Sequence, residues 1–120
     1  MVKVLIVEDE ENFAQTLEFG LSDFGFEVKL ASNGAEGLNV IETDRPDIIV
    51  TDISMPVMDG QEFLRRLRRI DPEMPVVVMT GLFSRLDEVI EADNYMEFIR
   101  KPFTDEDIIP ILNRMTKKPE

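Results

Sequence analysis

The 120-residue sequence contains no cysteine and no histidine. Without cysteine there is neither a disulfide nor a thiol nucleophile. Without histidine there is no Ser–His–Asp triad, no imidazole base and no histidine-ligated metal. Chemistry must rest on carboxylates, hydroxyls, lysine, arginine and backbone groups, and a bound metal would be a hard, oxygen-ligated cation such as Mg²⁺. Long apolar runs are also missing, so no membrane association is expected. The N-terminus lacks the charged-then-apolar pattern of a secretion signal, and a cytoplasmic location is expected. Positive charge is scarce: the net charge is −12. A surface that acidic repels nucleic acid, so none should bind to this domain alone, whereas metal cations and basic faces on partner proteins suit it.

What is present is a globular composition, 43% hydrophobic, at a length that suits a single domain over residues 1–120. Lys3–Val7 is nearly continuous in apolar residues, as strands buried on both faces are. A helix is predicted over 12–24, with Phe13, Leu17, Leu21 and Phe24 at helical spacing and Gly25 as its stop. Residues 26–31 alternate apolar and polar, which predicts a half-exposed edge strand. Asn33 and Glu36 have capping-box spacing ahead of a helix to Thr43, which Pro46 closes off. Ile48–Asp52 is a third, central strand. A helix over 61–70 should turn Phe63, Leu64, Leu67 and Ile70 inward. Val76–Thr80 is a fourth buried strand, 85–92 a weaker helix and 97–100 a short fifth strand. Thr104 and Asp107 cap a last helix to about Met115.

Five strands alternating with five helices predict an α/β fold: one parallel sheet with right-handed crossovers and helices on both sides. The exposed character of strands two and five places them at the edges, in the order 2-1-3-4-5. Ligands of such sheets bind beyond the strand C-termini where the order reverses, here between strands one and three. Glu8, Asp9 and Asp52 end those two strands, Thr80 ends the fourth, and Lys101 follows the fifth.

Crowded carboxylates repel one another, and a divalent cation relieves the repulsion. Asp9 and Asp52 are the expected direct Mg²⁺ ligands, with Glu8 acting directly or through water and the Ser54 carbonyl completing the set. Asp52 follows the apolar run Ile48-Ile49-Val50, where an uncompensated charge is costly. It reads as a nucleophile toward phosphorus, because phosphoryl transfer asks mainly for positioning and charge neutralisation. Lys101 can pair with one phosphoryl oxygen and Thr80 can donate to another. The basic stripe Arg65, Arg66, Arg68 and Arg69 reads first as a solvated helix face and second as a docking patch.

These residues closely resemble the receiver domain of two-component response regulators. The resemblance covers essentially the whole chain and rests on Glu8-Asp9, on Asp52 within Asp-Ile-Ser-Met-Pro-Val-Met-Asp-Gly, on Thr80-Gly81 and on Lys101-Pro102-Phe103, in that order. It implies a flavodoxin-like (βα)5 three-layer sandwich. It implies that a sensor histidine kinase or a phosphotransfer protein donates a phosphoryl group to Asp52, with Mg²⁺ held by Asp9, Asp52 and the Ser54 carbonyl. Thr80 and Lys101 then move toward the phosphoryl group, the Lys101–Pro102 peptide is cis, and Phe98 rotates inward as Thr80 shifts. The face formed by the fourth helix, the fifth strand and the last helix is thereby remodelled toward an output domain or downstream protein. The chain is then a switch that catalyses its own phosphorylation and slow dephosphorylation, since the apolar Leu82 cannot orient water.

Three departures from the family pattern bear on that face. Asn94-Tyr95 replaces the usual Gly-Ala pair. Pro110 falls inside the last helix and should kink or shorten it. Phe98 lacks the hydroxyl of a tyrosine. A pseudo-receiver that binds proteins without being phosphorylated is disfavoured, because acceptor, acidic pair and lysine are all present. An aspartyl-phosphate phosphatase is disfavoured because Ser54 stands where a second acid is needed. A stand-alone regulator and the N-terminal domain of a longer one fit equally well, and phosphorylation-dependent homodimerisation stays open.

Overall fold

A computed structural model describes residues 1–52, 60–81 and 94–117. Apolar runs in it become parallel strands: β1 (Lys3–Val7), β2 (Glu27–Ala31), β3 (Ile48–Asp52), β4 (Val76–Thr80) and β5 (Met96–Arg100). They form one sheet in the order β2-β1-β3-β4-β5, parallel at every pairing. β1, β3 and β4 are buried almost throughout, whereas β2 alternates, as its sequence pattern predicts for an edge. Four helices are described: α1 (Glu11–Asp23), α2 (Gly34–Thr43), α3 (Gly60–Ile70) and α4 (Asp105–Thr116). The helix expected over 85–92 lies outside the described residues, and α4 is the last of the described helices.

The alternation of side chains along each strand builds two cores. On one face Leu5, Val7, Ile49, Val76 and Val78 pack with Ile41 of α2 and Phe63, Leu64 and Leu67 of α3. On the other, Val4, Ile6, Ile48, Val50, Val77 and Met79 pack with Leu17 and Leu21 of α1 and Ile108 and Leu112 of α4. The result is the flavodoxin-like three-layer sandwich. Gly37 lets α2 approach the sheet: a Cβ there would stand 3.1 Å from Val7 Cγ2 and 3.2 Å from Phe63 Cε1.

Three side chains differ from expectation. Phe24 is exposed, because α1 ends one residue earlier. The chain reverses at Gly25, whose φ of +96° suits glycine, and Phe26 is buried instead. Ile70, the last residue of α3, is 43% exposed, and Met74 in the next loop fills that end of the core. Pro110 does not shorten α4, which runs to Thr116. The buried pair Ile108 and Leu112 brackets the proline and holds the helix on the sheet. The Asp107 carboxylate accepts from the Thr104 backbone N–H at 2.8 Å, fixing the start of α4.

Pro110 is exposed but lacks the donor that would reach the Glu106 carbonyl. Pro110→Ala restores that bond, offset by a more flexible unfolded chain. It is expected to stabilise the protein by about 1–2 kcal/mol, read as a higher urea midpoint at unchanged slope. An unchanged or lower midpoint would contradict this account of α4.

Candidate functional site

The pairing of Val7 with Thr51 brings the residues that follow, Glu8 and Asp52, side by side at the C-terminal edge of the sheet. This is the point where the strand order reverses. Glu8 continues the β1 path, its N–H donating to the Ala31 carbonyl at 2.9 Å, and only 3% of the residue is exposed. Asp9 is exposed. One carboxylate oxygen from each of Glu8, Asp9 and Asp52 lies within 4.8 Å of the others.

Lys101 enters this group from β5. Its Nζ stands 2.6 Å from Glu8 Oε1 and 2.7 Å from Asp52 Oδ2. Its backbone N–H donates to the Thr80 carbonyl at 2.7 Å, tying the ends of β4 and β5 together. The Lys101–Pro102 peptide is cis. Burial pushes the Glu8 carboxyl up to about 6, with the Asp52 charge adding to the rise and the Lys101 ammonium opposing it. Burial would lower Lys101, but its hydrogen bonds to Asp52 and Glu8 outweigh this and raise it, so it stays cationic at neutral pH. Three carboxyl groups crowd around one ammonium, more acid than a single lysine can balance. That imbalance and the all-oxygen donor set fit a hard divalent cation.

Thr80 is half-buried, one residue past the Met79 that pairs with Asp52. Phe98 is the middle residue of β5. It pairs with Val78 and packs, half-buried, on the core that contains Leu5 and Phe63. Ser54 and Leu82 lie outside the described residues. Glu10 caps α1 by accepting from the Phe13 N–H at 2.9 Å. Arg65 and Arg66 pair with Glu62, and Arg68 donates to the Asp71 and Met74 carbonyls, as an ordinary helix surface would. The Tyr95 carbonyl in the Asn94-Tyr95 stretch accepts from Val76 N–H at 2.9 Å, which anchors the entry to β5.

One neighbour of the site was not legible as such. Phe13 reads as core, yet Lys101 Nζ sits over its ring, 4.5 Å from the centroid. The ring also meets Phe103 edge-on, with centroids 5.7 Å apart. The available signal was position: Phe13 lies in the first turn after the acidic loop, and Phe103 lies two residues after the lysine.

Comparison with known proteins matches the chain at the level of family and fold. Residues 4–113 match the family model described as the response regulator receiver domain. The chain is 34% identical to the response regulator MprA of Mycobacterium tuberculosis over 122 residues, covering 99% of this chain and 53% of that protein. It thus spans about half the length of the curated relatives it matches. Among solved structures it resembles the Vibrio cholerae chemotaxis protein CheY4, at a TM-score of 0.87 and 32% identity, covering 96% of this chain and 98% of that one. It also resembles a response regulator receiver domain protein from Clostridium thermocellum, at a TM-score of 0.85 and 32% identity, covering 97% and 94%.

Because Glu8 holds its proton more tightly when folded, the stability it contributes is complete below its ordinary pKa and is lost as pH rises through about 6. Glu8→Gln cannot ionise. Without divalent ions, the stability of this variant relative to wild type should rise by roughly 2 kcal/mol between pH 4 and pH 7. Urea unfolding across that range checks this; a flat difference would contradict the buried, crowded setting described for Glu8.

Proposed function

This chain belongs to the response regulator receiver domains, and we propose on that footing that it is a phosphorylatable switch with Asp52 as acceptor. A phosphohistidine on a sensor histidine kinase or a phosphotransfer protein is the donor. An Asp52 carboxylate oxygen attacks phosphorus, the P–N bond to the donor breaks as the new P–O bond forms, and an acyl phosphate is left on Asp52. Glu8, Asp9 and Asp52, with the Ser54 carbonyl, are the residues that would hold Mg²⁺. When bound, the ion supplies neutralisation of charge on the transferring group.

The observation that carries the reading is the placement of Lys101 between Glu8 and Asp52, beside Asp9. A lysine already 2.7 Å from the acceptor needs only to exchange a carboxylate oxygen for a phosphoryl oxygen. The Thr80 hydroxyl is the second donor from this chain. Its movement toward the phosphoryl group would vacate space that Phe98, on the neighbouring strand, turns to fill. The surface around β5 and α4 then changes shape and is read by an output domain or a downstream protein. The phosphorylation chemistry needs an acceptor, an acidic pair and a lysine; their joint presence favours a working receiver over a protein-binding module that is never phosphorylated.

Incubation with acetyl phosphate and Mg²⁺, followed by intact-mass measurement, tests this. One phosphoryl group should be gained, and none should appear with Asp52→Asn or when Mg²⁺ is withheld. Phosphorylation of the Asp52→Asn variant to the wild-type extent would place the acceptor elsewhere.

A further inference from the structure

We propose that Phe13 is a positioning residue for Lys101, its ring holding the ammonium in the crevice by a cation–π contact. The inference rests on the reading of Lys101 as a phosphoryl ligand. Three observations converge on it. The Lys101 Nζ lies over the Phe13 ring, 4.5 Å from its centroid, while also touching Glu8 and Asp52. The ring is itself held, because Phe103 meets it at an interplanar angle of 88°. The backbone beneath it is also held, because the Phe13 N–H is bonded to the Glu10 carboxylate that caps α1. Phe13 is thus clamped between the two loops that carry the charged groups: the acidic turn after β1 and the Lys-Pro-Phe turn after β5.

The chemistry favours a ring at this place. A lysine has a long, flexible stem, and its ammonium is well placed only while something holds it. Glu8 and Asp52 hold it as hydrogen-bond acceptors, and each such bond occupies an N–H that a phosphoryl oxygen would otherwise take. An aromatic face attracts the same cation through its quadrupole without consuming a hydrogen-bond donor. The ammonium is therefore retained at the crevice while its N–H groups are free to exchange partners. An aliphatic side chain of similar size would fill the space but supply no such attraction. This also accounts for a phenylalanine in the first turn of α1 that is only half-buried, where Leu17 and Leu21 further along the helix are fully buried.

Phe13→Leu removes the ring and keeps apolar bulk, whereas Phe13→Tyr keeps the face. Two readouts separate positioning from packing. In NMR spectra of the chain without phosphodonor, the Lys101 ε-CH₂ resonances should carry a ring-current shift that Phe13→Tyr retains and Phe13→Leu loses. At saturating Mg²⁺, phosphoryl uptake from acetyl phosphate should slow about three- to tenfold in Phe13→Leu and stay within about twofold of wild type in Phe13→Tyr. Should Phe13→Leu fail to fold, Phe13→Met takes its place. A Phe13→Leu chain with wild-type Lys101 resonances or wild-type rate overturns the proposal, as does a Phe13→Tyr chain slowed as much as Phe13→Leu. If the wild-type chain takes up no phosphoryl group, it is the reading of Asp52 as an acceptor from acetyl phosphate that fails, not the Phe13 contact. The NMR comparison then decides the Phe13 contact by itself.

Discussion

Glu8 and Asp52 end neighbouring parallel strands, and the register of β1 on β3 leaves them no distance to retreat. Two carboxylates in that position, with Asp9 beside them, would destabilise the edge of the sheet unless a cation compensated them. Lys101 supplies part of that compensation. It is 93 residues from Glu8 in sequence and 49 from Asp52, and it spans both at hydrogen-bond distance. The burial that pushes Glu8 upward and the ion pairs that raise Lys101 are two signs of one arrangement: a partly dry crevice with more negative than positive charge. A site left in that state is poised for a further cation and for a group whose charge the lysine can share.

The rest of the architecture places this crevice and connects it to a surface. The sheet order puts the reversal point between β1 and β3, and two apolar cores fix the strands too firmly for the carboxylates to drift apart. β5 carries Phe98 in its centre and leads into Lys101, so a change felt by the lysine is felt on the same strand that lines the outer face. The bond from the Lys101 N–H to the Thr80 carbonyl joins this strand end to the next. A charge change at Asp52 therefore has a short physical route to the β5 edge, which is what the proposed switch needs.

Much of this was legible in the sequence because the relevant signals are local. Continuous β-branched runs mark strands buried on both faces, alternation marks the β2 edge, and Asn33 and Thr104 mark helix starts by their caps. Once the strand order follows from those patterns, Glu8, Asp9, Asp52 and Lys101 must meet, and the structure brings them together. The misreadings came where a helical repeat meets a helix end. Phe24 and Ile70 continue the apolar spacing of their helices, but α1 ends before one and α3 ends at the other, so neither reaches the core. Pro110 does not shorten α4, one of the two effects expected of it, because the burial of Ile108 and Leu112 is a tertiary effect that propensity does not contain. The contact of Phe13 with Lys101 was hidden for a related reason: an apolar residue on a helical stripe looks the same whether it meets another apolar side chain or a cation.

The central claim is that the excess negative charge of Glu8, Asp9 and Asp52 over Lys101 makes a divalent-cation site in the unphosphorylated chain. A calorimetric titration with Mg²⁺, free of any phosphodonor, tests it most directly. One saturable binding event in the wild type that is abolished in Asp9→Asn, with folding intact, is the predicted result. Wild-type binding unchanged by Asp9→Asn, or no binding by the folded wild type, would contradict the account.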